Sequence, residues 1–95
     1  MMSTAFLSTT EHGARRMRQR AISQADIERL LRYGRPIHKH QAVRYVFDKA
    51  GRKRLERSEG RQALKLAERK LDIFAVFSST GALVTTGYRT ERTWR

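Results

Sequence analysis

The pattern of apolar and polar residues predicts two helices in the first third of the chain. One of the three hydroxyl residues at 8–10 is expected to cap a helix over about residues 10–20. S-Q-A-D at 23–26 has the form of a capping box, and it begins a second helix. Gly34 fits the position just beyond that helix, and Pro36 forbids its continuation. The second helix has an apolar face at i, i+3, i+4 spacing: Ile27, Leu30 and Leu31.

A strand and a basic segment follow in the middle of the chain. Residues 42–48, A-V-R-Y-V-F-D, alternate so that Val43, Tyr45 and Phe47 share one face of a strand. Asp48 is suited to cap a short basic helix, K-A-G-R-K-R-L-E-R. The glycine inside this segment leaves a second interpretation open, a hairpin turn at D-K-A-G.

The second half of the chain predicts a helix and a closing hairpin. Residues 60–71 place alanine and leucine at helical spacing, and the apolar run 72–79 predicts a buried strand. S-T-G-A then turns the chain, so that residues 83–90 pair back as a second strand. We therefore expect an α+β domain. Two N-terminal helices pack on a small antiparallel β-sheet, with a helical insert between strands.

Length and composition restrict the class of protein. The 95 residues fit one domain, 1–95, in which residues 1–9 are expected to form a flexible N-terminal segment. The sequence contains no cysteine, which excludes disulfides and thiolate zinc sites. It shows neither a signal peptide nor an apolar run of membrane-spanning length. We therefore expect a cytoplasmic protein that does not contact membranes.

The charge balance predicts an anionic partner. Twenty-one Lys and Arg residues stand against nine Asp and Glu residues, a formal net charge of +12 with a pI near 11.4. Such an excess lowers stability through self-repulsion unless an anionic partner offsets it. RNA or another nucleic acid and an acidic protein are the expected partners. A merely basic, soluble surface is the alternative.

The basic charge is concentrated in the first predicted helix. His12, Arg16 and Arg20 lie at i, i+4 and i+8, and therefore form one polar stripe. Like charges at this spacing, and cations near a helix N-terminus, are locally unfavourable. Such departures from local rules are typical of functional sites, and arginine suits phosphate oxygens. The stripe therefore predicts an anion-binding face, and solvated surface arginines are the alternative. The opposite face, expected to pack on the core, carries Ala14, Met17 and Ala21.

Several segments together resemble a known family. H-G-A-R-R-M-R-Q-R-A-I at 12–22 resembles the H-A-x-x-R-M-x-x-R-G-I opening of a family of small bacterial domains of unknown function. D-I-E-R-L-L-R-Y-G, the basic segment and the T-x-G-Y-R ending of the last hairpin resemble later parts of that family. Gly13 stands where the family often has alanine, and Ala21 where it often has glycine. The family is similar to RelE-type toxins of the barnase–EndoU–colicin–RelE superfamily of metal-independent ribonucleases.

The resemblance implies a toxin-like ribonuclease with a catalytic set of histidine, arginine and tyrosine. RNA cleavage without metal requires a base for the 2′-hydroxyl proton, cations beside the phosphorane and an acid for the leaving oxygen. His12 is the natural proton-transfer group, and Arg16 and Arg20 would stabilise charge. Tyr88 would stack on a base or act as the acid. On an alternating strand Thr86 shares the face of Tyr88, whereas Arg89 does not.

Further basic or polar residues are candidates for contact with the nucleic-acid backbone. The candidates are Arg15, Arg18, Arg44, Lys49, Arg52, Lys53, Arg54, Thr86 and Arg89. No carboxylate accompanies this set, so we expect no metal site and no cofactor. His38 and His40 are two residues apart, and we interpret them as part of an exposed loop or an edge strand.

Three functions remain open from the sequence. A toxin-like ribonuclease would act through His12, Arg16, Arg20 and Tyr88, and it would have an acidic antitoxin partner. A non-catalytic nucleic-acid-binding module would show salt-sensitive binding without turnover. An interaction protein would dock an acidic partner and would have no affinity for nucleic acid. An aromatic stacking platform could be supplied by Tyr45, Phe47, Phe74 and Phe77, but aromatic residues at strand spacing more often belong to a core.

Overall fold

The structure of the protein is a computed structural model, which describes residues 8–89. The expected α+β class is confirmed. The described helices are α1 Glu11–Gln19, α2 Gln24–Tyr33, α3 Lys49–Glu59 and α4 Arg61–Ala67, with a 3-10 helix at Glu68–Asp72. The described strands are β1 Ser8–Thr9, β2 Arg35–Lys39, β3 Ala42–Val46, β4 Ile73–Phe77 and β5 Ala82–Tyr88.

The five strands form one mixed sheet in the order β1-β5-β4-β3-β2. Three of the four pairings are antiparallel, whereas β1 runs parallel to β5. The prediction of a purely antiparallel sheet was therefore wrong. The short β1 leads directly into α1, which continues along the same strand, so β1 enters the sheet in the direction of β5.

The segment after α2 forms an edge strand, one of the two interpretations left open for His38 and His40. β2 contains Pro36 and His38, and it pairs with β3 from Arg35 to Lys39. The two strands are joined by His40 and Gln41, whose φ angles of 52° and 64° are those of a type I′ turn. Proline is tolerated on an edge strand because its missing N–H faces no partner.

Side-chain caps define where three of the helices begin. The Thr10 hydroxyl accepts a hydrogen bond from the Gly13 amide, and the Ser23 hydroxyl accepts one from Asp26 as part of a complete capping box. Asp48 accepts from Gly51 N at 2.7 Å and begins α3, so the alternative of a hairpin turn was wrong. Gly34 is the C-cap of α2, with extended backbone.

The helix predicted over residues 60–71 has two parts. α4 ends at Ala67, and Glu68–Asp72 continue as a 3-10 helix that leads into β4. The apolar residues of both parts face the core, because Ala67 of α4 and Leu71 of the 3-10 helix are both buried. The tighter final turns therefore keep the predicted apolar face while bringing the chain to the sheet.

The hydrophobic core lies on one face of the sheet. In β4 the residues Ile73, Ala75 and Phe77 are buried, whereas Phe74 and Val76 between them are half-buried. The predicted buried strand is therefore present as β4, with one face in the core and the other half-buried. α2, α3 and the 3-10 helix cover the buried face through Ile27, Leu30, Tyr33, Leu55 and Leu71.

The expected flexible segment at residues 1–9 divides into two parts. Residues 1–7 lie outside the described residues. Ser8 and Thr9 form β1 and pair with Ala82 and Leu83 of β5. This short strand brings the start of α1 to the edge of the sheet.

Candidate nucleic-acid interface

The start of α1 is fixed to β5 by backbone contacts. The Thr10 amide donates to the Leu83 carbonyl at 2.9 Å, and the Thr10 hydroxyl donates to the same oxygen at 3.2 Å. A Cβ added to Gly13 would lie 2.5 Å from that carbonyl oxygen. Glycine at this position therefore lets the helix lie against the strand with no side chain between them.

The polar stripe of α1 lies beside this contact. His12 and Arg20 are exposed, and Arg20 is the C-cap of the helix. Arg16, between them on the stripe, is half-buried. Its Nε is buried and has no hydrogen-bond partner within residues 8–89. Because buried N–H donors are normally paired, Arg16 is a fixed cation with unused hydrogen-bonding capacity.

The opposite side of α1 partly matches the sequence prediction. Met17 packs against the core as expected. Ala21 lies beyond the end of the helix, is exposed and has a φ of 55°. Its predicted place on the helix face was therefore wrong, because the chain turns there toward α2. A shallow groove at this turn is lined by Thr9, Ala14, Met17, Arg18, Ala21, Ile22, Ser23 and Gln24.

Arg16 extends from α1 to the sheet. A Cβ built on Gly87 of β5 would lie 3.5 Å from Arg16 Nη2, and 3.1 Å from Cε1 of Phe74. Gly87 pairs with Phe74 across β4 and β5, and directly paired residues share one face of a sheet. The tip of Arg16 and the ring of Phe74 therefore meet over Gly87, on the face opposite the core.

Phe74 is also in contact with a second arginine. The Arg44 guanidinium lies over its ring, with Cζ 4.4 Å from the ring centroid, a cation–π distance. Arg44 pairs with Val76, and Val46 pairs with Phe74, so both pairs lie on the same face. We call this side of the sheet the open face. It consists of Arg35, Ile37, Arg44, Val46, Phe74, Val76, Thr85 and Gly87.

The predicted hairpin residues lie on the other face or hold the fold together. Thr86 is fully buried, and its hydroxyl donates to the Phe74 carbonyl at 2.6 Å. Tyr88 pairs with Ile73 on the core face, and Lys70 Nζ lies 5.9 Å from its ring. Arg89 donates to the Phe47 carbonyl at 3.2 Å. The structure therefore does not bring these three side chains to Arg16, and we leave them out of the proposed interface.

Two of the four candidates on α3 make structural contacts. Arg52 lies 3.4 Å from an Asp72 carboxylate oxygen, which ties the helix to the segment before β4. Arg54 donates to the Tyr33 carbonyl at 2.7 Å and thereby satisfies the end of α2. Lys49 and Lys53 are exposed. The exposed Arg15 and Arg18 of α1 complete the predicted basic residues, and Arg18 borders the groove toward α2.

A carboxylate network holds the turn between α1 and α2. Asp26 accepts hydrogen bonds from the Ser23 amide at 2.9 Å and from Arg29 at 3.0 Å. Lys70 approaches Asp26 to 3.7 Å and also donates to the Ala21 carbonyl. Burial by itself raises the pKa of Asp26, but these hydrogen bonds and the lysine charge outweigh it and lower the pKa. This network therefore fixes the end of the helix that carries Arg16.

His12 has no orienting carboxylate in the described part of the chain. No hydrogen bond or ion pair joins its side chain to another residue among 8–89. Over the same residues, no group of three His, Asp or Glu side chains is arranged to hold a metal ion. No helix there is long and apolar enough to cross a bilayer.

Two members of this surface, Phe74 and Gly87, were absent from the predicted site. Phe74 was named among the strand aromatics that could form a stacking platform but more often belong to a core, and Gly87 only as part of the T-x-G-Y-R ending. The period-2 alternation within I-F-A-V-F was the available signal, because Ile73, Ala75 and Phe77 occupy one face and leave Phe74 on the other. No sequence signal shows that Arg16 reaches this face.

The comparisons with known proteins identify the family. Residues 9–66, which include α1, α2 and the first three strands from Thr9 onward, match the family described as Domain of unknown function (DUF4258). No curated protein and no solved structure matches the chain. The match covers more than half of the chain, and it includes His12, Arg16 and Arg44. The chain therefore belongs to the DUF4258 family.

Proposed function

We propose that this chain is a toxin-like, metal-independent ribonuclease whose reaction site lies where the stripe of α1 meets the open face. The proposal rests on one observation, the position of the Arg16 side chain and its unsatisfied hydrogen-bonding capacity. Its guanidinium is held over Gly87, and its buried Nε has no partner within residues 8–89. A fixed arginine with unused donors suits an anionic phosphorane, because it needs no reorganisation when the charge develops.

His12 supplies the proton-transfer chemistry in this proposal. It lies one helical turn before Arg16 on the same stripe, and its side chain is exposed to solvent. Histidine changes protonation state near neutral pH, whereas arginine stays charged. In this pair His12 therefore acts as the base and Arg16 as a permanent cation.

The proposed reaction is transesterification within RNA. His12 takes the proton of a ribose 2′-hydroxyl, and that oxygen attacks the adjacent phosphorus. Arg16 stabilises the phosphorane while the bond to the 5′ oxygen breaks. Protonated His12 then gives its proton to the departing 5′ oxygen. The products are a 2′,3′-cyclic phosphate and a 5′-hydroxyl end, and no metal ion is needed.

The resemblance to RelE-type toxins adds an acidic protein partner to the proposal. A chain with net charge +12 attracts acidic proteins as well as RNA. An acidic antitoxin that covers Arg16 and Arg44 would exclude RNA from the same surface. This partner would act as a competitive inhibitor of cleavage.

A second candidate function is a nucleic-acid-binding module without catalysis. The observation that favours it is the lack of a hydrogen-bond partner for the His12 side chain within the described chain. A catalytic histidine is usually oriented by a second group, often a carboxylate. In this alternative Arg16 and Arg44 bind phosphate, and His12 contributes little.

The experiment uses matched substrates in excess EDTA. One oligoribonucleotide is incubated with the purified chain beside a copy in which every 2′-hydroxyl is replaced by hydrogen. The proposal predicts cleavage of the RNA alone, with cyclic phosphate ends, and loss of cleavage in Arg16→Gln. Binding of both strands without any cleavage would favour the second candidate and contradict the first.

A further inference from the structure

We infer that the open face contains a binding site for an unpaired nucleobase, formed by Phe74 and Arg44. The inference rests on the proposed function for the identity of the ligand as RNA. It adds that the substrate is single-stranded where it meets the sheet. A flat base stacks on the Phe74 ring, and the Arg44 guanidinium, which lies over the ring in the free protein, moves outward to stack on the other side of the base.

The register of the sheet places this site next to Arg16. Gly87, Phe74, Val46 and Arg35 are direct neighbours in one row across four strands. Adjacent strands are about 4.8 Å apart, so the row spans roughly 14 Å. Arg16 lies at the Gly87 end and Arg35 at the other end. A backbone phosphate at Arg16 therefore has an aromatic ring directly beside it.

The ring is accessible from the side away from the core. Phe74 is half-buried, and the Arg44 that lies over it is itself exposed. In the next row Ile37, directly paired with Arg44, is 43% exposed and adds apolar contact area to this face. The surface thus combines apolar contact area with arginines, and single-stranded nucleic acids use both.

An acidic protein is the alternative occupant of this face. Binding such a protein would use the arginines but would not need the aromatic ring of Phe74. The Arg44 guanidinium already lies over Phe74 in the free protein, with Cζ 4.4 Å from the ring centroid, so a base that enters must displace it outward. In a duplex the bases are paired and stacked inside, and the ring cannot reach them. The arrangement therefore favours an unpaired strand over a duplex.

The test measures binding of a short 2′-O-methyl oligouridine, which cannot be cleaved through its 2′ position. A copy with abasic nucleotides and a duplex of the same length serve as comparison ligands. The variants are Phe74→Leu, Phe74→Tyr and Arg44→Gln. Arg57→Gln, an exposed arginine on α3, removes the same charge elsewhere. Thermal unfolding shows that each variant folds.

We expect Phe74→Leu to weaken single-strand binding about 5- to 100-fold, the usual range for one stacked base. Phe74→Tyr should restore binding, because the aromatic face returns. Arg44→Gln should weaken single-strand binding more than Arg57→Gln does. Phe74→Leu should not change the affinity for the duplex or for the abasic strand.

Three results would overturn the inference. The first is that Phe74→Leu folds and binds the single strand with wild-type affinity. The second is that Phe74→Tyr loses as much single-strand affinity as Phe74→Leu does. If Phe74→Leu does not fold, Arg44→Gln decides, and the third result is a loss no larger than in Arg57→Gln. Cleavage in EDTA is scored separately. If the wild-type chain cleaves RNA but Phe74→Leu binds the single strand normally, only the base-site inference fails. If binding depends on the base but no RNA is cleaved, only the proposed ribonuclease activity fails.

Discussion

Arg16 of α1 reaches across Gly87 of β5, so that its Nη2 lies 3.5 Å from the position that a Gly87 Cβ would occupy. The helix and the strand are 71 residues apart in sequence at these positions, 87 minus 16, yet they share one small space. The ring of Phe74 closes the other side of that space. The proposed function depends on this arrangement.

Gly87→Ala should raise the free-energy barrier to RNA cleavage by more than it lowers the free energy of unfolding. The new methyl group would lie 3.1 and 3.3 Å from two ring carbons of Phe74, so the ring must shift, and it would touch Arg16 Nη2 at 3.5 Å and fill the space beside the guanidinium. A small displacement of a catalytic cation costs about 10- to 100-fold in rate. Single-turnover cleavage and urea unfolding, measured on the same samples, separate the two effects. A wild-type rate would show that the position of Arg16 is unimportant.

His12→Asn should abolish most of the cleavage while leaving RNA binding near the wild-type level. Asparagine keeps polarity and approximate size but cannot carry the proton, and general acid–base catalysis contributes about 10²- to 10⁴-fold. Cleavage rate and binding are compared with His38→Asn, a change at an exposed histidine on β2. Equal rates for the two variants would support the non-catalytic binding module.

Gly13→Ala should destabilise the fold. The added Cβ would lie 2.5 Å from the backbone oxygen of Leu83, which also accepts hydrogen bonds from Thr10. Because backbone rather than a flexible side chain must move, we expect a loss of about 1–3 kcal/mol in the free energy of unfolding. Urea denaturation measures it. Unchanged stability would mean that α1 can move away from β5 at no cost.

Asp26→Asn should lower stability at neutral pH, and the difference from wild type should disappear in acid. The folded-state pKa of Asp26 lies below its ordinary value of 3.8, since hydrogen bonds from Ser23 and Arg29 and the charge of Lys70 outweigh burial. Its stabilising contribution is thus complete above the unfolded-state pKa and is lost as pH falls through the folded-state pKa.

The expected size of this effect is about 1–2 kcal/mol at neutral pH, as for hydrogen bonds to a charged group. Urea unfolding of wild type and Asp26→Asn is compared from neutral pH downward past 3.8. Glu28→Gln, on the same helix, is the control for loss of one carboxylate. A difference between wild type and Asp26→Asn that stays constant over this pH range would contradict the assignment.

The sequence predicted those parts of the fold that local chemistry determines. Ser23 and Asp26 form the expected capping box, and Asp48 caps α3. For β2 an exposed loop and an edge strand both stayed open, because its turn, His40–Gln41, adopts positive φ angles without the glycine or asparagine that usually signals them. The parallel pairing of β1 depends on a contact between distant parts of the chain, and no local pattern encodes it.

The candidate site was predictable on the helix and not on the sheet. The i, i+4 spacing of His12 and Arg16 is a local property, and it places both on one side of α1. Tyr88 was assigned through the catalytic set that the resemblance implies, and Thr86 through strand alternation, whereas both pair with core-face residues of β4. Which face of β5 meets Arg16 is set by the docking of α1, which depends on Gly13 and Leu83 together.

The most direct test of the central claim is the single-turnover rate of RNA cleavage in EDTA for Arg16→Gln beside Arg57→Gln. Both variants lose one positive charge, but only Arg16 lies over Gly87 with a buried, unpaired Nε. The proposed function predicts a fall of about 10²- to 10³-fold for Arg16→Gln, typical for loss of one group that stabilises the transition state. It predicts little change for Arg57→Gln. Equal rates in the two variants, or no cleavage by the wild-type chain, would contradict it.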